Sequence, residues 1–269
     1  MTAESWTDAS SSDESPAIKT SPPMPKQLAA LGQAISLDRM ATYLVAADND
    51  AMLARDLYVW DRDVSLAILA DIAILEVALR NAINDSMATQ WGAYWYENSE
   101  VELDARSMSQ LERAWQALPK STRTDRRDPQ LPGRLVARCM LGFWANLLDS
   151  GDYIGSEPRR RRIDYETLWR QVIYRAFRGG RVEARAHDAR YTREWTHSVV
   201  KKVNILRNRI AHHEPLVNGF PLPGQNLRMS ASAGHEECMT LARMLDRNLA
   251  GWLAGNTRVP ELLTSKPRY

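Results

Sequence analysis

The chain has 269 residues, is 44% apolar and carries a net charge of +2, which excludes an intrinsically disordered chain and allows one large domain or two small ones. Its two cysteines, Cys139 and Cys238, stand in no metal-ligand spacing and exclude a disulfide scaffold, so a reducing cytoplasmic setting is the expectation. The net charge hides an asymmetry: residues 1–112 hold 7 Lys+Arg against 18 Asp+Glu, and residues 113–209 hold 22 against 10.

Residues 1–26 are rich in Ser, Thr, Pro and Asp and read as a disordered tail, with no apolar h-region of a signal peptide. Residues 27–269 read as a single all-α domain. Ser36 is an expected N-cap for a helix carrying Met40, Tyr43 and Leu44. A short helix is expected from Asp50 to Trp60, then a long one from Arg62 to Gln90, ending near Gly92. Its most apolar part, Val64 to Leu79, is interrupted by Asp71 and Glu76, and no run reaches the ~20 residues that span a bilayer. An aromatic cluster follows at Trp91, Tyr94, Trp95 and Tyr96. Further helices are expected over Ser107–Leu118, Gly133–Leu148, Tyr165–Phe177 (closed by Gly179-Gly180), Ala189–His213 and Gly234–Leu253. Residues 119–133 read as a polar loop, and residues 151–162 as a second loop ending in four consecutive arginines, Arg159, Arg160, Arg161 and Arg162. No segment shows strand alternation, and no internal repeat is found.

The helix that ends near His213 has two faces. Trp195, Val199, Val203, Leu206 and Ile210 recur at spacings of 4, 4, 3 and 4 and form one apolar stripe. On the other side fall Arg190, Glu194, His197, Lys201, Asn204, Asn208 and His212. An ordinary solvated face carries Glu and Lys, and Asn is a poor interior helix former, so two Asn with two His suggest either hydrogen-bonding work or a subunit contact. Asn208 and His212 share a face, whereas Arg207 and His212 stand about 140° apart on an ideal helix. His213 lies near the apolar stripe and is expected as a core histidine. Glu76 and Arg80 sit at i, i+4 in a helix apolar almost all round, and read either as a register-fixing salt bridge or as support for Arg207 and His212. Adjacent His212 and His213 point about 100° apart and cannot share an ion. No metal site or cofactor motif is expected, and with no Walker, GxGxxG or GxSxG motif, NTPase, dinucleotide-binding and α/β-hydrolase functions have no support.

The run Leu206-Arg207-Asn208-Arg209-Ile210-Ala211-His212-His213-Glu214-Pro215 resembles the RxxxxH motif of the HEPN superfamily, in the version found in Abi-like (abortive infection) proteins. Leu75-Glu76-Val77-Ala78-Leu79-Arg80-Asn81 is similar to that family's LExxLRN helix. The likeness covers roughly residues 35–255. It implies a HEPN-like helical bundle and a homodimer that brings two RxxxxH motifs together. It also implies a metal-independent endoribonuclease in phage defence or a toxin, held in check by an antitoxin RNA or protein. Arg207, Asn208 and His212 are then the catalytic candidates. Glu76, Arg80, His213, His197, Lys201 and Asn204 are supporting ones, and Arg159 to Arg162 are RNA-binding candidates. Two other classes stay open: a non-catalytic RNA-binding module, and a helical oligomerisation protein.

Overall fold

A computed structural model of the chain describes residue 30 and residues 33–125, 128–226 and 228–268; the expected tail over residues 1–26 lies outside them. The chain divides into residues 1–41 and 42–269. The described residues form twelve α-helices and two short antiparallel strand pairs, so the fold is all-α.

Helix α1 (Leu37–Ala46) begins where Ser36 accepts the Arg39 amide at 3.3 Å. Helix α2 (Ala51–Trp91) is a single rod of 41 residues, about 60 Å long at 1.5 Å per residue. It replaces the two helices expected on either side of Trp60. Asp50 opens it by accepting the amides of Met52 and Leu53, each at 2.8 Å. No Gly or Pro interrupts it before Gly92, whose φ of 83° ends it. The Asp61-Arg62-Asp63 stretch, where one helix was expected to give way to the next, instead stays helical. Asp61 turns inward and finds partners: it accepts the Tyr43 hydroxyl at 2.8 Å and the Leu216 amide at 3.0 Å. Asp71 is likewise buried, taking the Thr257 hydroxyl at 2.5 Å and lying 3.2 Å from His235 Nε2. The apolar remainder of this face, from Ala54 through Ile68, Leu75 and Ile83 to Met87, is fully buried.

Three helices follow the aromatic cluster: α3 (Ala105–Gln116), α4 (Lys120–Thr124) and α5 (Leu131–Arg138). Helix α4 occupies some of the expected 119–133 loop. Helix α6 (Leu141–Asn146) is separate from α5, although a continuous helix was expected over Gly133–Leu148. The backbone is extended at Cys139 and Met140, and the cause of the break lies in α2, as described below. Strands β1 (Tyr153–Ile154) and β2 (Arg161–Arg162) pair Tyr153 with Arg162.

Helix α7 (Tyr165–Gln171) passes into a 3-10 turn, Ile173–Ala176, and then helix α8 (Gly180–Ala186). Gly179-Gly180 thus starts a helix rather than only ending one. A Cβ on Gly180 would stand 2.3 Å from the Tyr191 ring, so this glycine serves close packing. Helix α9 (Arg193–Ala211) is followed by β3 (Phe220–Pro221) and β4 (Arg228–Met229), then α10 (Ala231–Leu245), α11 (Arg247–Asn256) and α12 (Val259–Thr264). The expected helix Gly234–Leu253 is divided at Asp246, whose carboxylate accepts the amides of Asn248 and Leu249 and opens α11. The core is built where α2, α9 and α10 meet, with α11 and α8 against α10. Among the described residues no helix is long and apolar enough to cross a membrane.

Candidate functional site

The C-terminal end of α9 carries the candidate residues. The helix starts later than expected, at Thr192, whose hydroxyl accepts the Trp195 amide at 3.2 Å. Val199, Val203, Leu206 and Ile210 of the expected apolar stripe are buried against α2 and α10, with Val200 beside them, whereas Trp195 is half-buried. The end is a Schellman motif: the His213 amide donates to Ile210 O and the Glu214 amide to Arg209 O, both at 2.9 Å. Such a motif needs a left-handed residue at its centre, usually Gly. Here it is His213, with φ of 56°. His213 is exposed, which corrects the expectation of a core histidine: the helix ends before its side chain reaches the apolar stripe. His212, the last helical cap, is also exposed. Pro215 prevents further helix, and Asp61 of α2 holds the next amide, that of Leu216. An ion pair between Arg209 and Glu214, 2.8 Å apart, stands where an apolar contact often closes this motif.

Arg207 is half-buried. Its Nε lies 3.9 Å from Glu76 Oε2, and its Nη1 donates to Asn208 Oδ1 at 3.3 Å. The fold thus brings together α2 and α9, the two segments singled out in the sequence. The expected Glu76–Arg80 bridge does not form. Glu76 Oε1 accepts the Leu141 amide at 2.9 Å, and Arg80 Nη1 donates to Ala137 O at 3.2 Å. Glu76 therefore takes an amide that opens α6, while Arg80 takes a carbonyl near the end of α5. Each charge meets the helix end whose dipole favours it. Their i, i+4 spacing matches the break at Cys139-Met140, which explains why α5 and α6 are two helices.

The polar stripe of α9 runs alongside α6 and α3. Asn204 is half-buried near Gly142 and Gln110, and Gln110 in turn accepts from Asn146 at 2.7 Å. Lys201 and Asn208 are exposed. His197 is half-buried, and burial holds its pKa below the ordinary histidine value; Asp149 opposes this, while Lys201, Arg193 and Arg106 add to it. The stripe therefore places one exposed histidine, His212, next to the half-buried Arg207 turn, and a second, neutral-leaning one, His197, four turns away.

The arginines of the 159–162 run make different contacts. Arg161 pairs with Glu102 at 2.7 Å, and the Arg160 guanidinium lies 4.0 Å over the Tyr153 ring. Alternation along β2 sends neighbours to opposite sides. Sequence reasoning missed Asp61 as the anchor of the chain after His213. It also missed the exposed arginines at 175, 178, 181 and 185, which lie on either side of Gly179-Gly180. Among the described residues no group of three or more His, Cys, Asp or Glu side chains is placed to hold a metal ion. No family model, no curated protein and no solved structure matches this chain.

Proposed function

We propose that the chain is an endoribonuclease that cleaves RNA through its own 2′-OH, with Arg207 and His212 as its catalytic residues. The observation that carries this reading is the convergence of α2 and α9 at Glu76 and Arg207, about a turn and a half before the exposed His212 that caps α9. The next residue, His213, is left-handed at φ of 56°, and backbone strain of this kind costs about 1–3 kcal/mol and clusters at functional sites.

The chemistry follows from these side chains. A base removes the proton from the 2′-OH, whose oxygen attacks the adjacent phosphorus. The bond to the 5′-oxygen breaks, and an acid protonates that leaving oxygen. The products are a 2′,3′-cyclic phosphate and a 5′-OH. Histidine serves either proton role near neutral pH. Arg207 meets the charge that gathers on the phosphate, and Glu76 with Asn208 fixes the direction of its guanidinium. One chain offers one histidine at the RxxxxH spacing, His212, so a pair of chains supplies base and acid. A row on α2 supports pairing: Met52, Val59, Leu66 and Val77 are 54%, 37%, 57% and 44% exposed. The first three recur at intervals of seven, the spacing of helices that pack side by side. Val77 adjoins Glu76, so a second chain seated on this row lies near Arg207. In this reading the biological role is phage defence or growth arrest.

The test is cleavage of a labelled single-stranded RNA in EDTA by wild type, Arg207→Ala and His212→Ala, with the product ends identified. Cleavage by wild type alone, giving cyclic-phosphate ends, is expected. RNA bound but uncut by all three moves the assignment to a non-catalytic RNA-binding module.

A further inference from the structure

The distribution of carboxylates around α7, α8 and α10 is uneven. Arg170 and Arg193 both pair with Glu166, at 2.8 and 3.0 Å, and Arg193 also with Glu194 at 2.6 Å. Arg243 takes Glu183 at 2.6 Å and Glu236 at 2.8 Å. These pairs engage Glu166, Glu183, Glu194 and Glu236. Arg175, Arg178, Arg181 and Arg185 remain, all exposed and none with a carboxylate partner among the described residues.

The four follow one another from the 3-10 turn into α8. Arg175 Nε donates to the Tyr174 hydroxyl at 3.3 Å, and its guanidinium lies 5.5 Å from that ring. The Arg175 hydrogen bond lowers the pKa of Tyr174, with Arg181 near enough to add to it, while burial raises that of Tyr191 against the same Arg181 charge. Arg175 and Arg178 share the wall of a cleft of about 380 Å³ with Ala78 and Ala82 of α2. Arg181 and Arg185 are i, i+4 on α8, where like charges repel by a few tenths of a kcal/mol. Asp85 and Asp246 also line the cleft and offset part of this charge, although neither forms an ion pair with the four; Asp246 caps α11, and Asp85 accepts from Asn84. A surface where mutually repelling guanidinium groups outnumber the carboxylates beside them is suited to a polyanion.

We propose that Arg175, Arg178, Arg181 and Arg185, with Tyr174, form a second nucleic-acid site that holds the phosphate backbone of single-stranded RNA away from the Arg207 site. The planar guanidinium grips phosphate in two hydrogen bonds, and a partly exposed tyrosine beside it offers a face for a base. The site is distinct from the first. Ala78 lines this cleft and Glu76 faces Arg207; at 100° per residue the two directions differ by about 200° around α2. A strand engaged at both places therefore passes around α2. The inference rests on the RNA reading above and adds to it a place where long substrates are held and short ones are not.

The experiment measures binding of a labelled, fully 2′-O-methylated oligouridylate of roughly 20 nucleotides, which lacks the attacking hydroxyl and stays intact. Wild type is compared with the double variant Arg178→Gln/Arg181→Gln over a salt series. Loss of two phosphate contacts predicts a log–log salt slope shallower by about 1.4, and binding weaker by about 25-fold near 0.1 M salt. Single-stranded DNA of the same length is expected to compete within a few-fold, because the surface reads backbone. Both substituted residues are exposed, so an unchanged melting temperature accompanies the loss. Cleavage of a dinucleotide, too short to reach this surface, is expected to be equal in the two proteins. Equal affinity and equal slope in the double variant overturn the proposal, as does failure of the wild type to bind the probe at any salt. Probe binding that depends on Arg178 and Arg181 without cleavage of any RNA defeats the nuclease reading and leaves this surface standing. Dinucleotide cleavage with variant-independent binding does the reverse.

Discussion

Asp61 is the polar residue on which the end of α9 is anchored, and its removal has a calculable cost. The carboxylate is 3% exposed. It accepts the Leu216 amide at 3.0 and 3.2 Å and the Tyr43 hydroxyl at 2.8 Å. Each hydrogen bond to a charged group contributes about 1.5–3 kcal/mol, and a buried amide left without an acceptor costs about 1–3 kcal/mol. Asp61→Ala is therefore expected to destabilise the chain by about 3–5 kcal/mol, a large share of the ~5–15 kcal/mol that holds a typical domain. Asp61→Asn keeps an oxygen for the Leu216 amide and an amino group for the tyrosine, and is expected to cost about 1–2 kcal/mol. Urea denaturation followed by tryptophan fluorescence measures both, with the slope unchanged if only stability moves. Hydrogen exchange at the Leu216 amide gives a local reading: protection falls furthest in the alanine variant. A loss under about 1 kcal/mol in Asp61→Ala, or equal losses in the two variants, refutes the anchoring role.

Four further outcomes are expected. His213→Gly relieves a left-handed side chain that costs about 1–2 kcal/mol but adds freedom to the unfolded chain, for a net gain of roughly 0.5–1 kcal/mol by thermal or urea unfolding; His213→Ala shows no such gain. Glu76→Gln keeps an acceptor for the Leu141 amide but removes the charge beside Arg207, so RNA cleavage falls about 10- to 100-fold with stability nearly unchanged, whereas Glu76→Ala also loses about 1 kcal/mol of helix capping in α6. Leu66→Glu with Val77→Glu is expected to leave the fold intact and convert a dimer to a monomer in sedimentation, with loss of cleavage. The lowered pKa of His197 means that the native chain binds fewer protons than the unfolded one. Stability from this group is complete above the unfolded value of about 6.5 and is lost as pH falls from there towards the folded value; urea unfolding across that window is expected to show a shallower pH dependence in His197→Gln.

Much of the architecture was legible in the sequence because helical periodicity is a local property. The apolar stripe of α9 is buried as its spacing predicts apart from the half-buried Trp195, and Ser36 stands at the start of α1. What failed were boundaries decided by distant residues. The split between α5 and α6 depends on Glu76 and Arg80, some sixty residues earlier. The merger of two expected helices into α2 depends on Leu216 and Tyr43 giving Asp61 its partners. Gly180 read as a breaker because its role, room for the Tyr191 ring, is not local either. At the candidate site, the sequence left open whether Glu76 supports Arg207 or only fixes helix register, and the structure places Glu76 Oε2 3.9 Å from Arg207 Nε. The left-handed turn at His213 was not legible, since Gly is the usual residue there and the sequence offers His.

The length of α2 sets a rule for how this chain can change over generations. Asp61, Glu76 and Ala78 each address a different region of the protein from one uninterrupted helix. Adding or deleting a single residue between Asp61 and Glu76 would turn everything beyond it by about 100° and shift it by about 1.5 Å. The anchor, the Arg207 contact and the arginine cleft would then fall out of phase together. Only changes of about seven residues, close to two full turns, would keep all three directions. Length variation among any descendants of this sequence should therefore collect in the connections outside α2, whereas within α2 substitutions are tolerated and gaps are not.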